Sequence, residues 1–285
     1  MISVVIPAHD EAVTIERCLR ALLSAAEEGE FDVIVVANGC RDDTARIAQR
    51  VDPTIRVILQ EHASKAVALN AGDAAARFFP RIYLDADVVT TAPDVRLVAA
   101  ALRGSADVAS PTLKVNLEGR PWGVRSWYQI WGQLPYAADG LIGSGIYGLS
   151  EAGRRSFDTF PDTMADDLFV RSRLPEARRL VVPEAIFEIQ APRTVRSLLR
   201  VRARVSAVNR RVLDSADDLL ASERRQLAAG HRRCLVGLVR QPRQGLKVVL
   251  YVAIGLLARL LAALMWPKQR SVQWLRDETN RSGST

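Results

Sequence analysis

The sequence predicts an α/β fold in which a mostly parallel central sheet is flanked by helices and followed by a helical C-terminal extension. Over the first 110 residues, short apolar runs alternate with amphipathic stretches in the order β-α-β-α-β-α-β-α-β. Strands that are apolar along their whole length are typical of parallel sheets covered on both faces. The first half therefore has the pattern of a Rossmann-like, nucleotide-binding sheet.

The elements of this first half follow in order. Ile2–Ile6 is the first strand, Pro7 is expected to end it, and a helix should run from Glu11 to about Ala26. Thr91 fits the N-cap of the fourth helix, with Pro93 in its first turn. The other predicted strands and helices are Val33–Val36, Ile55–Leu59, Ile82–Leu84 and a strand from Val108, with helices at Asp43–Val51 and 64–79.

After residue 110 the composition changes. Residues 121–140 hold three Trp and two Tyr, and we expect a helix that either lines a cleft or packs as aromatic core. Aromatic faces stack well on the rings of ligands, so 121–147, with Trp122, Trp127, Trp131 and Tyr136, is the expected wall of such a cleft. A Gly-rich turn into a strand at 143–150, an acid-led helix at 165–174 and a basic helix at 193–211 follow.

Charge is distributed unevenly along the chain. Residues 1–192 carry 20 Lys and Arg against 26 Asp and Glu, whereas residues 193–285 carry 19 against 6. Arginine-rich surfaces suit a pyrophosphate, an anionic membrane or a nucleic acid, and a solvated helix face remains the alternative. The aromatic residues are not interleaved with these arginines as a base-stacking platform requires, so no nucleic-acid partner is expected.

The C-terminal region contains an apolar stretch whose length could cross a bilayer. Val248–Trp266 has 19 residues and one charge, Arg259. Lys247, Tyr251, Gly255 and Arg259 recur every fourth residue, which favours a helix lying at a membrane interface or docked on protein; a true span stays open.

The expected organisation is an α/β domain followed by a basic tail. We expect the α/β domain at 1–211, divided into two halves at 1–110 and 111–211. A basic helical region at 212–285 would contain the apolar helix, 246–266. Three scattered cysteines without a CxxC pair, and a first segment without signal-peptide character, predict a cytoplasmic protein, with the inner face of the cell membrane as a second location.

Polar residues follow each predicted strand, in the loops PAHDE, NGCRDD, EHASK and DADV. Ligands of open parallel sheets bind beyond the carboxyl ends of the strands, so these loops should meet at one site. Asp85 and Asp87 in the last loop can hold a hard divalent cation, Mg²⁺ or Mn²⁺, together with a pyrophosphate. A turn or helix-capping role is the alternative for such a D-x-D pair.

Five motifs in order resemble glycosyltransferase family 2, the inverting family with a GT-A fold, over roughly residues 1–211. VVIPAHDE is similar to V-x-I-P-x-x-N-E, VVANGCRDDT to V-V-D-D-G-S-x-D-x-T, and SKAVALNAG to G-K-x-x-A-L-N-x-G. YLDADV resembles the D-x-D strand, and ADDLFVRSRL the E-D-x-x-L-x-x-R-L helix. The resemblance implies metal-dependent, inverting transfer of a single sugar from a nucleotide-diphosphate sugar donor to a hydroxyl acceptor. It makes 1–110 the nucleotide-sugar-binding half and 111–211 the acceptor and catalytic half, with 121–147 as the acceptor wall. A lipid-linked acceptor would suit the basic, apolar C-terminal region, and a cell-envelope glycan precursor, a small molecule or a protein stays open as the acceptor.

The resemblance also implies roles for individual residues. Asp85 and Asp87 would meet the diphosphate, chiefly Asp87 through the metal, and Asp167 would be the general base, with Asp166 as its partner or substitute. Two acids at a helix N-terminus, favoured by the helix dipole, are the alternative for that pair. The residues implied to bind the nucleotide sugar are Pro7, Ala8, His9, Glu11, Asn38, Lys65, Asp85, Ala86, Asp87, Arg202 and Arg204.

The chain departs from the family pattern at three places. Ala37 and Asn38 replace the acidic pair, Ser64 replaces a Gly, and the Gln-x-x-Arg-Trp segment is missing, which favours a single-sugar transferase over a processive synthase. A non-enzymatic nucleotide- or membrane-binding member of the fold is the main alternative. A sugar-phosphate nucleotidyltransferase is disfavoured because PAHDE replaces the Gly-rich, basic phosphate loop.

Overall fold

The computed structural model describes residues 1–134, 137, 145–162, 166–214 and 230–265, with the backbone alone for 208–214. Their contacts form two compact units. Unit 1 contains the described residues of 1–114 and 142–189, and unit 2 contains those of 115–141 and 190–282. The predicted domain limits at residues 110 and 211 stay a prediction about functional parts, because the units are defined by packing alone.

One eight-stranded sheet has the order β3-β2-β1-β4-β7-β6-β8-β5. Parallel pairing joins β1 to β2 and β4, and β2 to β3, whereas β7 runs antiparallel to β4 and β6. The predicted mostly parallel sheet with flanking helices is confirmed. The strands are β1 Ile2–Ala8, β2 Phe31–Asn38, β3 Arg56–Gln60, β4 Arg81–Leu84, β5 Val89–Thr90, β6 Val108–Asn116, β7 Ile146–Leu149 and β8 Arg179–Gln190.

Helices alternate with the strands and then dominate the C-terminal region, as predicted. Residues 230–239, labelled α9, are also helical, and Glu176–Arg178 is a 3-10 turn. The other helices are α1 Ile15–Leu23, α2 Thr44–Val51, α3 Lys65–Ala75, α4 Ala92–Arg103, α5 Trp122–Trp131, α6 Glu151–Arg155, α7 Asp166–Arg173, α8 Val195–Asp214 and α10 Gly245–Met265.

Several predicted limits were wrong; the first helix, predicted from Glu11 to about Ala26, runs only from Ile15 to Leu23. The first strand does not stop at Pro7 but continues to Ala8, in register with Val36 and Ala37 of β2. Pro7 is tolerated there because β4 pairs only with residues 3–5 of β1, so no partner on that side needs its missing N–H. The third helix ends at Ala75 rather than at residue 79, and the next N–H groups, of residues 77 and 78, donate to the buried Ser3 hydroxyl.

The core of unit 1 has two apolar layers, one on each face of the sheet. Because side chains alternate across a strand, Val4 and Ile6 enter one layer while Val5 enters the other. Helices α1 and α4 cover the first layer, and α3 covers the second. A Cβ on Gly72 of α3 would lie 2.4 Å from Val5 Cγ1, so the glycine lets this helix approach the sheet closely.

The helices of unit 2 pack around their own apolar core. Trp127 of α5 is 2% exposed and stacks on Tyr251 of α10, with ring centroids 5.3 Å apart. Of the two roles predicted for the aromatic segment, core packing therefore holds for Trp127. Trp122 is 53% exposed, and Tyr136 lies outside the described residues.

Candidate active site

The end of β4 presents Asp85 and Asp87 on a tight turn at the carboxyl edge of the sheet. The Asp85 N–H donates to the Gly145 carbonyl at 2.7 Å, and the Val88 N–H donates to the Asp85 carbonyl at 3.1 Å. The turn buries Ala86 and leaves Asp87 exposed. The predicted D-x-D pair is thus held by the backbone, and the Asp87 side chain is exposed to solvent.

Gly145 fixes the other side of this turn. Its φ of +116° is one that side chains rarely adopt, and a Cβ there would lie 2.6 Å from Val88 Cγ2. The same Cβ would lie 3.8 Å from Asp85 Oδ2. A glycine is therefore required for the chain to enter β7 against Asp85.

Lys65, the first residue of α3, joins this turn to the acidic helix α7. Its Nζ lies 2.9 Å from Asp85 Oδ1 and 2.7 Å from Asp166 Oδ1. Burial by itself would lower the pKa of Lys65, but the carboxylates of Asp166 and Asp85 raise it overall. The ammonium is therefore charged at any physiological pH, and it bridges two predicted site residues that are 81 positions apart.

Asp85 has a weakened acidity in this cluster. Burial, and then the neighbouring charges of Asp166 and Asp87, raise its pKa, and Lys65 opposes them. Its side chain keeps 35% exposure, which limits the effect of burial. A further positive charge beside Asp85 would therefore favour its ionised form.

Tyr147 of β7 holds the second oxygen of Asp166. Its hydroxyl donates to Asp166 Oδ2 at 3.0 Å, and its ring stacks on Tyr83 with centroids 5.1 Å apart. Burial and the Asp166 charge raise the pKa of Tyr147 well above its usual value, so it remains a hydroxyl donor. Sequence reasoning missed Tyr147, because its place follows from the pairing of Tyr83 with Tyr147 across β4 and β7.

The two acids at the start of α7 differ in their surroundings. Asp166 is buried, with Lys65 on one oxygen and Tyr147 on the other. Asp167 is half-buried, and its Oδ1 accepts the Leu168 N–H at 2.8 Å. The geometry assigns Asp166 to the ion-pair cluster and leaves Asp167 the more accessible carboxylate.

The ends of β1 and β2 bring the predicted base-binding residues together. Pro7 and Ala8 are the last residues of β1, and His9 Nδ1 lies 2.6 Å from the Asn38 carbonyl oxygen. Glu11 is buried and accepts the Thr14 hydroxyl at 2.6 Å. All of these residues belong to unit 1, at the same edge of the sheet as the D-x-D turn.

Asn38 uses its amide to connect this edge to α3. Its Nδ2 donates to the Ser64 carbonyl at 2.9 Å, and its Oδ1 accepts the Ser64 N–H at 3.1 Å. Ser64 in turn caps α3, since its hydroxyl accepts the Val67 N–H. Whatever its part in base binding, this fully buried amide also positions the helix that carries Lys65.

His9, Asp10 and Cys40 also bring three candidate ligand atoms within 4.8 Å of one another. Their hydrogen bonds join the two loops: the Asp10 N–H donates to Cys40 Sγ at 3.4 Å, and Asp10 Oδ1 accepts the Arg41 N–H at 2.5 Å. Burial raises the pKa of Cys40, which disfavours the thiolate that binds metal. These hydrogen bonds explain why the three residues lie together: they connect the loop after β1 to the loop after β2.

The residues of the D-x-D turn fit a divalent cation better. Asp85 and Asp87 offer carboxylate oxygens, the ligands that Mg²⁺ and Mn²⁺ prefer, and the exposed Asp87 leaves room for phosphate and water oxygens. The Arg17 Nη2 lies 3.4 Å from the Asp87 carbonyl oxygen and supports the turn from α1. Metal binding by this pair stays a prediction.

Arg202 and Arg204 lie on α8, in unit 2. The Arg202 guanidinium lies 4.9 Å from the centroid of the Trp127 ring, a cation–π contact within that unit. Arg204 is half-buried. The binding of a diphosphate by either residue remains a prediction.

Comparison with known proteins identifies the family. The sequence profile of glycosyl transferase family 2 matches residues 3–159. The chain belongs to glycosyl transferase family 2. The family predicted from the five motifs is thus confirmed, and with it the assignment as a glycosyltransferase.

The curated relatives match part of the chain. An undecaprenyl-phosphate 4-deoxy-4-formamido-L-arabinose transferase of Pseudomonas savastanoi pv. phaseolicola is 31% identical over 134 residues, covering 44% of this chain and 39% of that protein. The glycosyltransferase AglD of Haloferax volcanii is 35% identical over 97 residues, covering 31% of this chain and 16% of that protein. The match thus spans less than half the length of these relatives.

Solved structures share the fold over most of the chain. The mannosyltransferase PcManGT of Pyrobaculum calidifontis, in complex with GDP-Man and Mn²⁺, has a TM-score of 0.65 at 16% identity, covering 94% of this chain and 88% of that one. Glucosyl-3-phosphoglycerate synthase of Mycobacterium tuberculosis, with Mn²⁺, UDP and phosphoglyceric acid, has a TM-score of 0.52 at 19% identity, covering 72% and 76%. The predicted GT-A fold is confirmed.

Proposed function

We propose that this chain is a metal-dependent, inverting glycosyltransferase that moves one sugar from a nucleotide-diphosphate sugar to an oxygen atom of a lipid-linked acceptor. The observation that carries the proposal is the contact of Lys65 with both Asp85 and Asp166. It joins the turn expected to meet the donor diphosphate to the helix expected to supply the base.

The donor would lie along the carboxyl ends of β1, β2 and β4. Pro7, Ala8, His9, Glu11 and Asn38 would line the nucleotide pocket, and Lys65 would sit beside the donor. Asp85 and Asp87 would hold Mg²⁺ or Mn²⁺, which when bound neutralises the charge of the departing diphosphate. The Mn²⁺ complexes of the fold neighbours support this choice of cofactor.

Asp167 is the proposed base. An acceptor oxygen attacks the anomeric carbon from the side opposite the diphosphate, the new C–O bond forms as the bond to the diphosphate breaks, and the configuration inverts. If the acceptor is a hydroxyl, its proton passes to an Asp167 carboxylate oxygen. Asp166, held by Lys65 and Tyr147, would position the first turn of α7 for this transfer.

The names of the curated relatives support a lipid-linked acceptor, since three of them carry undecaprenyl-phosphate in their names. A lipid phosphate is already ionised at neutral pH, because its second pKa is about 6, and it needs no base. The role of Asp167 therefore separates the two acceptor chemistries. Loss of activity in Asp167→Asn is expected with a hydroxyl acceptor and not with a phosphate.

The first test is nucleotide-induced thermal stabilisation. UDP, GDP, CDP, dTDP and ADP would each be added with and without Mn²⁺, to wild type and to Asp87→Ala. A ligand at about 100 times its dissociation constant adds about 2.7 kcal/mol of stability. We expect one of the five nucleotides to raise the melting temperature of wild type only when Mn²⁺ is present, and to have no such effect on Asp87→Ala.

Transfer is then assayed with the matching sugar donor and with polyprenyl phosphate or a polyprenol as acceptor. Product with a changed anomeric configuration supports the proposal. Binding without transfer to any acceptor would favour the non-enzymatic alternative, and release of pyrophosphate from a nucleoside triphosphate and a sugar phosphate would favour the nucleotidyltransferase. Full transfer by Asp87→Ala would contradict the role given to the D-x-D turn.

A further inference from the structure

Among the described residues, helix α10 packs against its own unit along one stripe. Its buried residues are Val248, Ile254, Ala258 and Ala262. On the same side, Tyr251 stacks on Trp127, and Lys247 Nζ donates to Gln129 Oε1 at 3.0 Å. The four-residue spacing noticed in the sequence therefore belongs, at Lys247 and Tyr251, to a stripe that the neighbouring helix α5 covers.

The opposite face of α10 is apolar and exposed. Leu246 and Leu264, near its two ends, are 69% and 68% exposed, and only 22% of the most apolar 18-residue window is buried. Soluble proteins rarely expose contiguous apolar patches of this kind without a partner. We call this surface the apolar face of α10; it consists of Leu246, Val249, Val252, Leu256, Leu257, Leu260 and Leu264.

One exposed arginine borders the apolar face, and α10 contains no acidic residue. Arg259 lies between the buried Ala258 and the exposed Leu260, so at roughly 100° per residue it stands at the border of the face rather than in its centre. From that position a long side chain can reach the headgroup level. Four more arginines are exposed on or directly after α9, namely Arg232, Arg233, Arg240 and Arg243.

Helix α9 also exposes apolar side chains on one side and buries them on the other. It exposes Val236 and Val239, while Leu238 is buried in a cluster with Ile130 and Val248. Helices that expose apolar side chains and arginines on one side and are packed on the other have the pattern of helices that lie in a membrane interface. The excess of arginine over acidic residues in this region matches a surface of negative lipid headgroups.

We infer that the apolar face of α10 binds the surface of an anionic phospholipid bilayer, with the helix lying in the plane of the membrane. The inference rests on the proposed function, in that such docking would bring the enzyme to a lipid-linked acceptor. The apolar side chains enter the acyl boundary, and the arginines contact anionic headgroups. Length alone would allow α10 to cross the bilayer, but its packed stripe decides against a span.

A span would carry polar groups into lipid. Lys247 donates a hydrogen bond to Gln129. Tyr251 stacks on the Trp127 ring, and the Arg202 guanidinium makes a cation–π contact with the same ring. Either these contacts break, or α5 and α8 enter the hydrocarbon with their charges, which is unfavourable. In-plane binding keeps every one of these contacts.

The test is binding of the full chain to preformed vesicles, measured by sedimentation. Vesicles of phosphatidylcholine alone are compared with vesicles that also contain phosphatidylglycerol. We expect binding to the anionic vesicles, weakened when salt rises from about 0.1 M to about 0.5 M. Leu256→Asp and Leu260→Asp should each weaken binding by about tenfold or more, since each replaces an exposed leucine that would enter the acyl boundary with a carboxylate.

Leu59→Asp is the matched control, because Leu59 is an exposed leucine of the edge strand β3 in unit 1. It should leave vesicle binding within about twofold of wild type. Transfer of bound protein to a second, larger pool of vesicles tests the in-plane arrangement, because a spanning helix does not leave its bilayer. Nucleotide-induced stabilisation is measured on every variant in parallel.

No binding to anionic vesicles overturns the inference, and so does equal loss of binding in Leu59→Asp. Failure of the bound protein to transfer overturns the in-plane arrangement. Self-association through α10 that persists when vesicles are present, and is lost in Leu256→Asp, assigns the face to a second copy instead. Lost vesicle binding with intact nucleotide binding leaves the proposed function standing, whereas vesicle binding without nucleotide binding contradicts that function alone.

Discussion

Replacing Lys65 by methionine should strongly destabilise unit 1. Among the described residues, its ammonium is the only cation that forms an ion pair with both Asp85 and Asp166. The Lys65 and Asp166 side chains are 13% and 6% exposed. Removing one partner of a buried ion pair typically costs about 3–5 kcal/mol, since the remaining charge is left unpaired. Asp85 keeps 35% exposure, so we expect the lower end, about 3 kcal/mol.

Lys114→Met is the matched control. Lys114 belongs to the same unit, is 67% exposed and lies 3.5 Å from Glu188 Oε2, so its ion pair is screened by water. An exposed pair of this kind contributes about 0–1 kcal/mol, and we expect no more than that from this variant. Methionine keeps most of the aliphatic stem at both positions, so the comparison isolates the charge.

The assay is urea unfolding without nucleotide or metal. No Trp lies within residues 1–114 or 142–189, and Trp122, Trp127 and Trp131 lie on α5 in unit 2. Tryptophan fluorescence therefore does not follow unit 1, whereas far-UV circular dichroism does. The Lys65→Met shift should appear in the dichroism transition. Equal stability of the two variants, within about 0.5 kcal/mol, would refute the reasoning that Lys65 neutralises buried carboxylates.

Three further expectations follow from the structure. Asp87→Ala should abolish the Mn²⁺-dependent part of nucleotide stabilisation while leaving unliganded stability within about 0.5 kcal/mol, since Asp87 is exposed. Gly72→Ala should lower the free energy of unfolding by about 1–3 kcal/mol through overpacking against Val5. Gly237→Ala is the helical control: nothing lies within 4 Å of its added Cβ, so its free energy of unfolding should rise by up to about 1 kcal/mol. Thermal denaturation of both variants measures the two changes. The hydrogen bond from Arg178 lowers the pKa of Asp107 in the folded protein. The extra stability of wild type over Asp107→Asn should therefore be complete above the pKa of an unfolded Asp, about 3.9, and should disappear as the pH falls through the lower pKa of the folded state. Acid denaturation curves of the two proteins measure this difference. An advantage that grows toward acid pH would contradict this assignment.

The sequence was most informative where chemistry depends on local pattern. Asp85 and Asp87 could be placed because carboxylates directly after an apolar strand stand at the ligand-binding edge of a parallel sheet. Lys65 and Asp166 could be named only through the family motifs, because nothing local predicts that residues so far apart form an ion pair. Their contact depends on α3 and α7 packing on the same face of the sheet.

Tyr147 shows why the rest could not be predicted. It reaches Asp166 because β7 enters the sheet antiparallel beside β4, in a register that places Tyr147 opposite Tyr83. Register between strands distant in sequence is set by tertiary packing and leaves no local signal. The same limit applies to Asn38, whose bond to Ser64 could not be inferred from its place after a strand.

Charge at the D-x-D turn gives an independent argument for metal dependence. In the structure, Lys65 contacts the carboxylates of Asp85 and Asp166, and burial, followed by the charges of Asp166 and Asp87, raises the pKa of Asp85. A nucleoside diphosphate brings further negative charge to the same edge of the sheet, so its approach without a counter-ion is repulsive. A divalent cation at Asp85 and Asp87 would reverse this repulsion and return Asp85 to its ionised form. Nucleotide binding should therefore depend on the metal even before any sugar is transferred. Strong binding of UDP or GDP when a chelator has removed the metal would contradict this electrostatic account of the site.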